Sequence, residues 1–220
     1  MNKSLIAVVA GVAGVGGAGM LAGFSNAEAT AAFAAEQRET VFETRQGERM
    51  YASDPVHSSV VFSIRHGGVA NFYGRFNDMD GEVHYNAESP ADSRMAFTVQ
   101  TASIDTNNNS RDGHLRQADF FNARQFPEIS FVSTGISGSE GGWVLNGELT
   151  LQGETRPISA SLSGFDTGTF RNKDVLGFEA RFDIKRSDFG MTKYLAADGG
   201  EGGGLGNTVT LIVAVEAIAE

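Results

Sequence analysis

Leu176-Gly177-Phe178-Glu179-Ala180-Arg181-Phe182-Asp183-Ile184 alternates without a break: even positions are apolar, odd positions small or charged. Side chains of an extended chain point to opposite faces in turn, so this stretch reads as a β-strand with one face buried. Wound as a helix, it would scatter Leu176, Phe178 and Ala180 around the circumference.

The same period recurs on either side. Val60, Phe62, Ile64 and His66 share a face, as do Met95, Phe97, Val99 and Thr101. Ile129, Phe131 and Ser133 follow, then Trp143, Leu145, Gly147, Leu149 and Leu151. Ile158, Ala160 and Leu162 precede the opening stretch, and Val209, Leu211, Val213, Val215 and Ala217 close the series. A less regular strand lies between Phe72 and Tyr85, where Gly74 and Gly81 suggest bends. Turn-like residues 137–142 and Gly153-Glu154 separate neighbours. The reading is all-β, with about eight antiparallel strands closed into a barrel, which removes the exposed edges of an open sheet. The inward faces are rich in Phe, of which the chain has 16. Alternation alone leaves two interiors open, a filled core and a lined cavity.

Two loops stand out. Residues 105–121 are polar and long for a compact domain, and such loops are more often functional than spacers. The Asn run there suits a turn, and Ser110 could cap one short helix. Residues 198–207 hold six glycines; this loop is expected to be mobile and could cover a barrel mouth.

Composition narrows the function. Of 220 residues, 41% are apolar and 20% charged, enough for one well-filled core. With 27 acidic against 17 basic residues the net charge is −10, which argues against nucleic acid and against docking by charge onto an anionic membrane. The absence of Cys excludes disulfides and thiolate chemistry.

Lys3 is the only charge ahead of Glu28, and residues 5–24 are apolar or small. With the small-x-small pattern Ala27-Glu28-Ala29, residues 1–29 read as a signal peptide cleaved after Ala29. Cleavage removes one Lys and one Glu, so the charge stays at −10. The rival is an uncleaved anchor, since residues 5–24 reach the ~20 residues a span needs, although their Gly and Ala content makes a poor membrane helix. Residues 30–50 form an Ala-, Glu- and Arg-rich arm, helical or mobile, and residues 51–220 the barrel domain.

An ordered series of short blocks carries a family resemblance. Ser53-Asp54-Pro55-Val56-His57-Ser58 leads into Val61-Phe62-Ser63-Ile64-Arg65-His66, followed by Gly74-Arg75-Phe76. Ser103-Ile104-Asp105-Thr106 precedes Arg111-Asp112-Gly113-His114-Leu115 and Asp119-Phe120-Phe121. Phe126-Pro127-Glu128-Ile129-Ser130-Phe131, Gly147-Glu148-Leu149-Thr150-Leu151-Gln152-Gly153-Glu154-Thr155-Arg156-Pro157 and Arg186-Ser187-Asp188-Phe189-Gly190-Met191 complete it. From Tyr51 to Glu220 the chain closely resembles the YceI-like family. The resemblance implies a lipocalin-like barrel with a lengthwise tunnel, and a periplasmic protein that binds a polyisoprenoid such as an isoprenoid quinone or polyprenyl phosphate. It favours the lined interior over the filled one. The glycine-rich stretch from Gly199 to Gly206 is denser than the family pattern requires.

A lipid tail needs apolar and aromatic lining, with few polar atoms to fix the head. Inward candidates are Phe62, Ile64, Phe97, Val99, Phe131, Trp143, Leu149, Phe178, Phe182 and Ile184, with Met191 near the last loop. Arg111, His66 and His114 are head-group candidates, the guanidinium offering a planar donor fork. Core packing, and for the polar residues a structural network, are the plain alternatives. Four His residues (His57, His66, His84, His114) are scattered singly without close-spaced ligand pairs, and His84 is read as exposed. No GxSxG elbow or P-loop occurs. The expectation is a non-enzymatic carrier that needs no metal or cofactor, with a membrane-bound donor or acceptor and a homodimer both compatible. The alternatives are a lipid-acting enzyme using His57, Asp112 and His114, and a stress-response interaction protein with a packed barrel.

Overall fold

The computed structural model describes residues 41–139 and 142–220. The leader at residues 1–29, and the arm as far as residue 40, lie outside the described residues. Residues 41–47 are irregular, and strand begins at Glu48, three residues ahead of Tyr51.

The strands are β1 (Glu48–Ser53), β2 (Ser59–His66), β3 (Ala70–Phe76), β4 (Met79–Asn86), β5 (Arg94–Gln100), β6 (Ile104–Asp105), β7 (Glu128–Ser139), β8 (Gly142–Leu151), β9 (Glu154–Phe170), β10 (Lys173–Lys185) and β11 (Leu205–Ala219). All pairings are antiparallel, and pairing of β1 with β11 closes the sheet. These strands make an eight-stranded barrel, because three of its staves are broken in two. β1 and β2 lie end to end along β11, β4 and β3 continue one another, and so do β5 and β6.

Each break is sealed by polar groups, as buried backbone requires. At residues 54–58 the chain steps around Glu216: Asp54 N–H donates to the Glu216 carbonyl at 2.7 Å, and Glu216 N–H donates to Ser58 Oγ at 3.1 Å. At the neighbouring breaks, Asn77 N–H donates to the Ser103 carbonyl and Asp78 N–H to Ser103 Oγ. Thr101, read as the end of a strand, lies in the 3-10 turn Thr101–Ser103.

The glycines read as bends have another role. Gly74 and Gly81 lie in regular ladder opposite Phe62 and Phe97, and a Cβ at Gly74 would sit 2.3 Å from the Phe62 ring. Gly147 makes the same room for Phe131. Phenyl rings thus lie flat over inward glycines, and the actual break falls at residues 77–78.

Between β6 and β7 the long loop carries the helix α1 (Asn109–Leu115). Asn108, not Ser110, caps it: its Oδ1 accepts from Arg111 N–H at 3.0 Å. Asn107 is left-handed at φ 60°, a conformation Asn tolerates, and this turns the chain so that Asn108 arrives extended.

One end of the barrel is packed solid. Phe165 meets Tyr85, Phe178 and Trp143 edge-on at 5.3, 6.1 and 6.2 Å. Leu176, Ala217 and Val83 beside them are fully buried.

Candidate functional site

Above that packed end the interior is hollow, with a cavity of about 610 Å³. All the lining residues expected from sequence except Trp143 border it. Phe62, Ile64 and His66 come from β2, Phe97 and Val99 from β5, and Phe131 from β7. Leu149 comes from β8, and Phe178, Phe182 and Ile184 from β10. Arg111 and His114 approach from α1, and Met191 from the segment after β10. Trp143 lies at the packed end against Phe165, too near the start of β8 to reach the hollow part. None of Tyr51, Tyr85, Trp143, Phe165 and Leu176 touches the cavity, so it is a blind pocket and not a lengthwise tunnel.

Sequence reasoning missed part of the wall. Val209, Leu211 and Val213 line it from β11, a face the alternation had shown. Leu115, Phe120 and Phe121 line it from the polar loop, where adjacent aromatics signal a return to the interior. Gly204 and Leu205 border the mouth, so the glycine-rich loop does lie there. It is tied down at several points. Buried Arg186 donates to the carbonyls of Gly206, Met191 and Leu205 at 2.7, 2.8 and 3.2 Å. Glu201 accepts from Asn207 N–H and Thr208 N–H, and Asn207 Nδ2 donates to the Gly199 carbonyl. Burial pulls the Arg186 pKa below its ordinary value, with the Glu201 carboxylate working the other way.

The lining is apolar except near the mouth. Among the described residues its cationic or imidazole groups are His66, Arg111, His114 and Arg186, and no Asp or Glu borders the cavity. The Arg111 guanidinium lies over the Phe72 ring at 4.5 Å, with Nε donating to Thr106 Oγ1 at 2.8 Å and Nη2 to the Thr106 carbonyl at 2.6 Å. Buried Asp112 accepts from the N–H and hydroxyl of Thr106. His114 Nε2 stands 3.6 Å from Asp119 Oδ2, which also meets Lys193 Nζ at 3.2 Å. The Lys193 hydrogen bond is the main reason the Asp119 carboxyl falls below its usual pKa.

The three acid–base candidates do not converge: His114 borders the cavity, whereas His57 and Asp112 do not. His57 sits at the β1–β2 break, its Nδ1 2.8 Å from Asp54 Oδ2 and 3.9 Å from Glu216 Oε1. Among the described residues these three have donor atoms close enough to hold a metal ion, within 4.8 Å of one another. As they stand they make an ion pair that ties the break together. Arg65 Nη1 donates to Asn71 Oδ1 at 3.5 Å.

His84, read as exposed, is buried. Residues 41–47 lie over the outer face of β4: Glu82 Oε1 accepts from Val41 and Phe42 N–H at 2.8 and 2.9 Å. The Phe42 ring meets the His84 ring edge-on at 5.7 Å.

The family model described as the YceI-like domain matches residues 51–217. Protein YceI of Escherichia coli O6:H1 is 36% identical over 166 residues, spanning 74% of this chain and 83% of that protein. The crystal structure of Burkholderia cenocepacia BcnA superposes with a TM-score of 0.64 at 19% identity, over 75% of this chain and 99% of that one. A domain from Saccharophagus degradans, described as polyisoprenoid binding and implicated in plant cell wall breakdown, superposes with a TM-score of 0.56 at 13% identity, covering 77% and 98%. At those identities the two structures speak to fold alone.

Proposed function

The chain belongs to the YceI-like family, and from that premise we propose that it binds the tail of one polyisoprenoid lipid, such as an isoprenoid quinone or polyprenyl phosphate, without chemically altering it. The carrying observation is the blind cavity of about 610 Å³, apolar along its depth and polar only at its mouth. That volume falls in the range of about 300–1,000 Å³ typical of single-ligand pockets. Each Å² of tail surface removed from water contributes about 25 cal/mol before ordering costs. The Saccharophagus domain, which shares the fold, is described as polyisoprenoid binding, and the tail class proposed for this chain is the same. Binding rather than catalysis is supported by the separation of His57 and Asp112 from the cavity.

The protein works in the periplasm, to which the leader at residues 1–29 would deliver it, and takes its lipid from a membrane-bound donor. Cell fractionation with N-terminal sequencing tests the location: a periplasmic chain starting at Thr30 is expected, and a cytoplasmic chain retaining Met1 or Asn2 would refute it. For the ligand, native mass spectrometry of protein purified from its own compartment, followed by organic extraction, should find one isoprenoid per chain. A ligand-free mass, with no uptake of added prenyl lipid, would instead favour an interaction protein with an idle interior.

A further inference from the structure

We infer that the lipid carries an anionic oxygen head, a phosphate or carboxylate, and that Arg111 at the mouth reads it. This rests on the tail-binding reading above. The chain has 27 acidic and 17 basic residues, yet among the described residues no carboxylate borders the cavity, and the lining groups able to carry positive charge are His66, Arg111, His114 and Arg186. Two of these are already engaged. Arg186 spends its donors on three carbonyls, and His114 faces Asp119, which Lys193 shares.

Arg111 differs. Arg49, Arg75, Arg94 and Arg156 each sit against a carboxylate. Like Arg65, Arg116 and Arg186, Arg111 has no carboxylate partner among the described residues, and it alone of these borders the cavity without all three of its nitrogens engaged. Its neighbour Asp112 is turned away to Thr106. Thr106 and the Phe72 ring fix the guanidinium in place, and no described residue accepts a hydrogen bond from Nη1. A cation held rigidly at the edge of an apolar cavity, with donors left over, favours a charged acceptor over a neutral one. Charge-assisted hydrogen bonds are roughly twice as strong as neutral ones, and a guanidinium matches two oxygens at once. His66 lies next to Phe72 through the β2–β3 ladder, where Ile64 pairs with Phe72, and its ring has no described partner either. It is the natural second donor.

Farnesyl phosphate, farnesoic acid and farnesol share one tail and differ in head. Titration calorimetry on the full barrel should show the phosphate or the acid binding about tenfold or more tighter than the alcohol. Added salt should erode that gap, and the larger of the two gaps names the anion. Arg111→Gln should remove most of the preference, with circular dichroism and the thermal unfolding midpoint reporting the fold separately. Equal binding of all three probes by the wild type, or a preference that survives Arg111→Gln, would overturn the head-group inference and leave the tail reading standing. Binding of none of them would overturn the tail reading, and this inference with it.

Discussion

At Gly81 a Cβ would lie 2.2 Å from Cδ1 of Phe97 and 2.4 Å from the carbonyl oxygen of Ala96. The ring could swing into the hollow interior, but the carbonyl belongs to a paired strand and cannot yield. Gly81→Ala should therefore cost about 1–3 kcal/mol, the usual range for overpacking, read as a lower denaturant midpoint. At Gly74 the three nearest atoms all belong to the Phe62 ring, so Gly74→Ala should cost less and instead reduce lipid uptake by pushing that ring into the cavity. The Asp54–His57 pair makes a different prediction. The hydrogen bond to Asp54 raises the His57 pKa, so the folded state favours the imidazolium. Its contribution is full below the unfolded imidazole value of about 6.5 and is lost as pH rises through the higher folded value. Burial works to raise the Asp54 pKa, but hydrogen bonds from His57 and Val56 outweigh it and leave the carboxyl below its usual value. That contribution is present above the unfolded value of about 3.9 and is lost as pH falls through the folded one. The Tm gap between wild type and His57→Gln should be open in mildly acidic solution and close in alkaline solution. A gap independent of pH would show that the pair carries no charge.

Among the elements, the glycine-rich loop shows how composition can mislead. Six glycines promise mobility, yet Arg186, Glu201 and Asn207 gather the loop's carbonyls and amides. A Cβ at Gly203 would lie 2.4–2.6 Å from the backbone of residues 194–196, so the glycine there permits close approach. Arg186→Lys keeps the charge but loses the fork that serves three carbonyls at once. Amide hydrogen exchange across residues 199–207 should speed up in that variant, with a stability loss on the order of 2 kcal/mol. Unchanged exchange would mean that the loop is held by its own packing.

For the molecule as a whole, the closed lower end sets a limit on the ligand. The cavity stops above the Phe165 cluster, so depth, and not only width, selects the tail. Ala160, fully buried in the cavity wall opposite Leu145, is a place to shorten it. Ala160→Phe should weaken binding of longer prenyl chains more than of farnesyl probes. Equal loss across tail lengths would show that this position does not bound the tail.

Alternation by itself determined the barrel, because a buried face every second residue leaves few other ways to satisfy so many strands. It also named part of the cavity wall, since inward positions on β2, β5, β7, β8 and β10 follow from parity alone. Depth does not follow from parity. Leu176 and Phe178 share a face and differ only in height, so tertiary structure alone decided which inward residues pack the end and which border the hollow. The same holds for contacts that join distant segments. His84 reads as exposed because its own strand is charged, and it is buried because Phe42 and its neighbours lie over it. Arg111 and His66 are legible as polar residues in motifs. That one guanidinium stands at the mouth without a carboxylate depends on how the loop folds back, which local sequence does not encode.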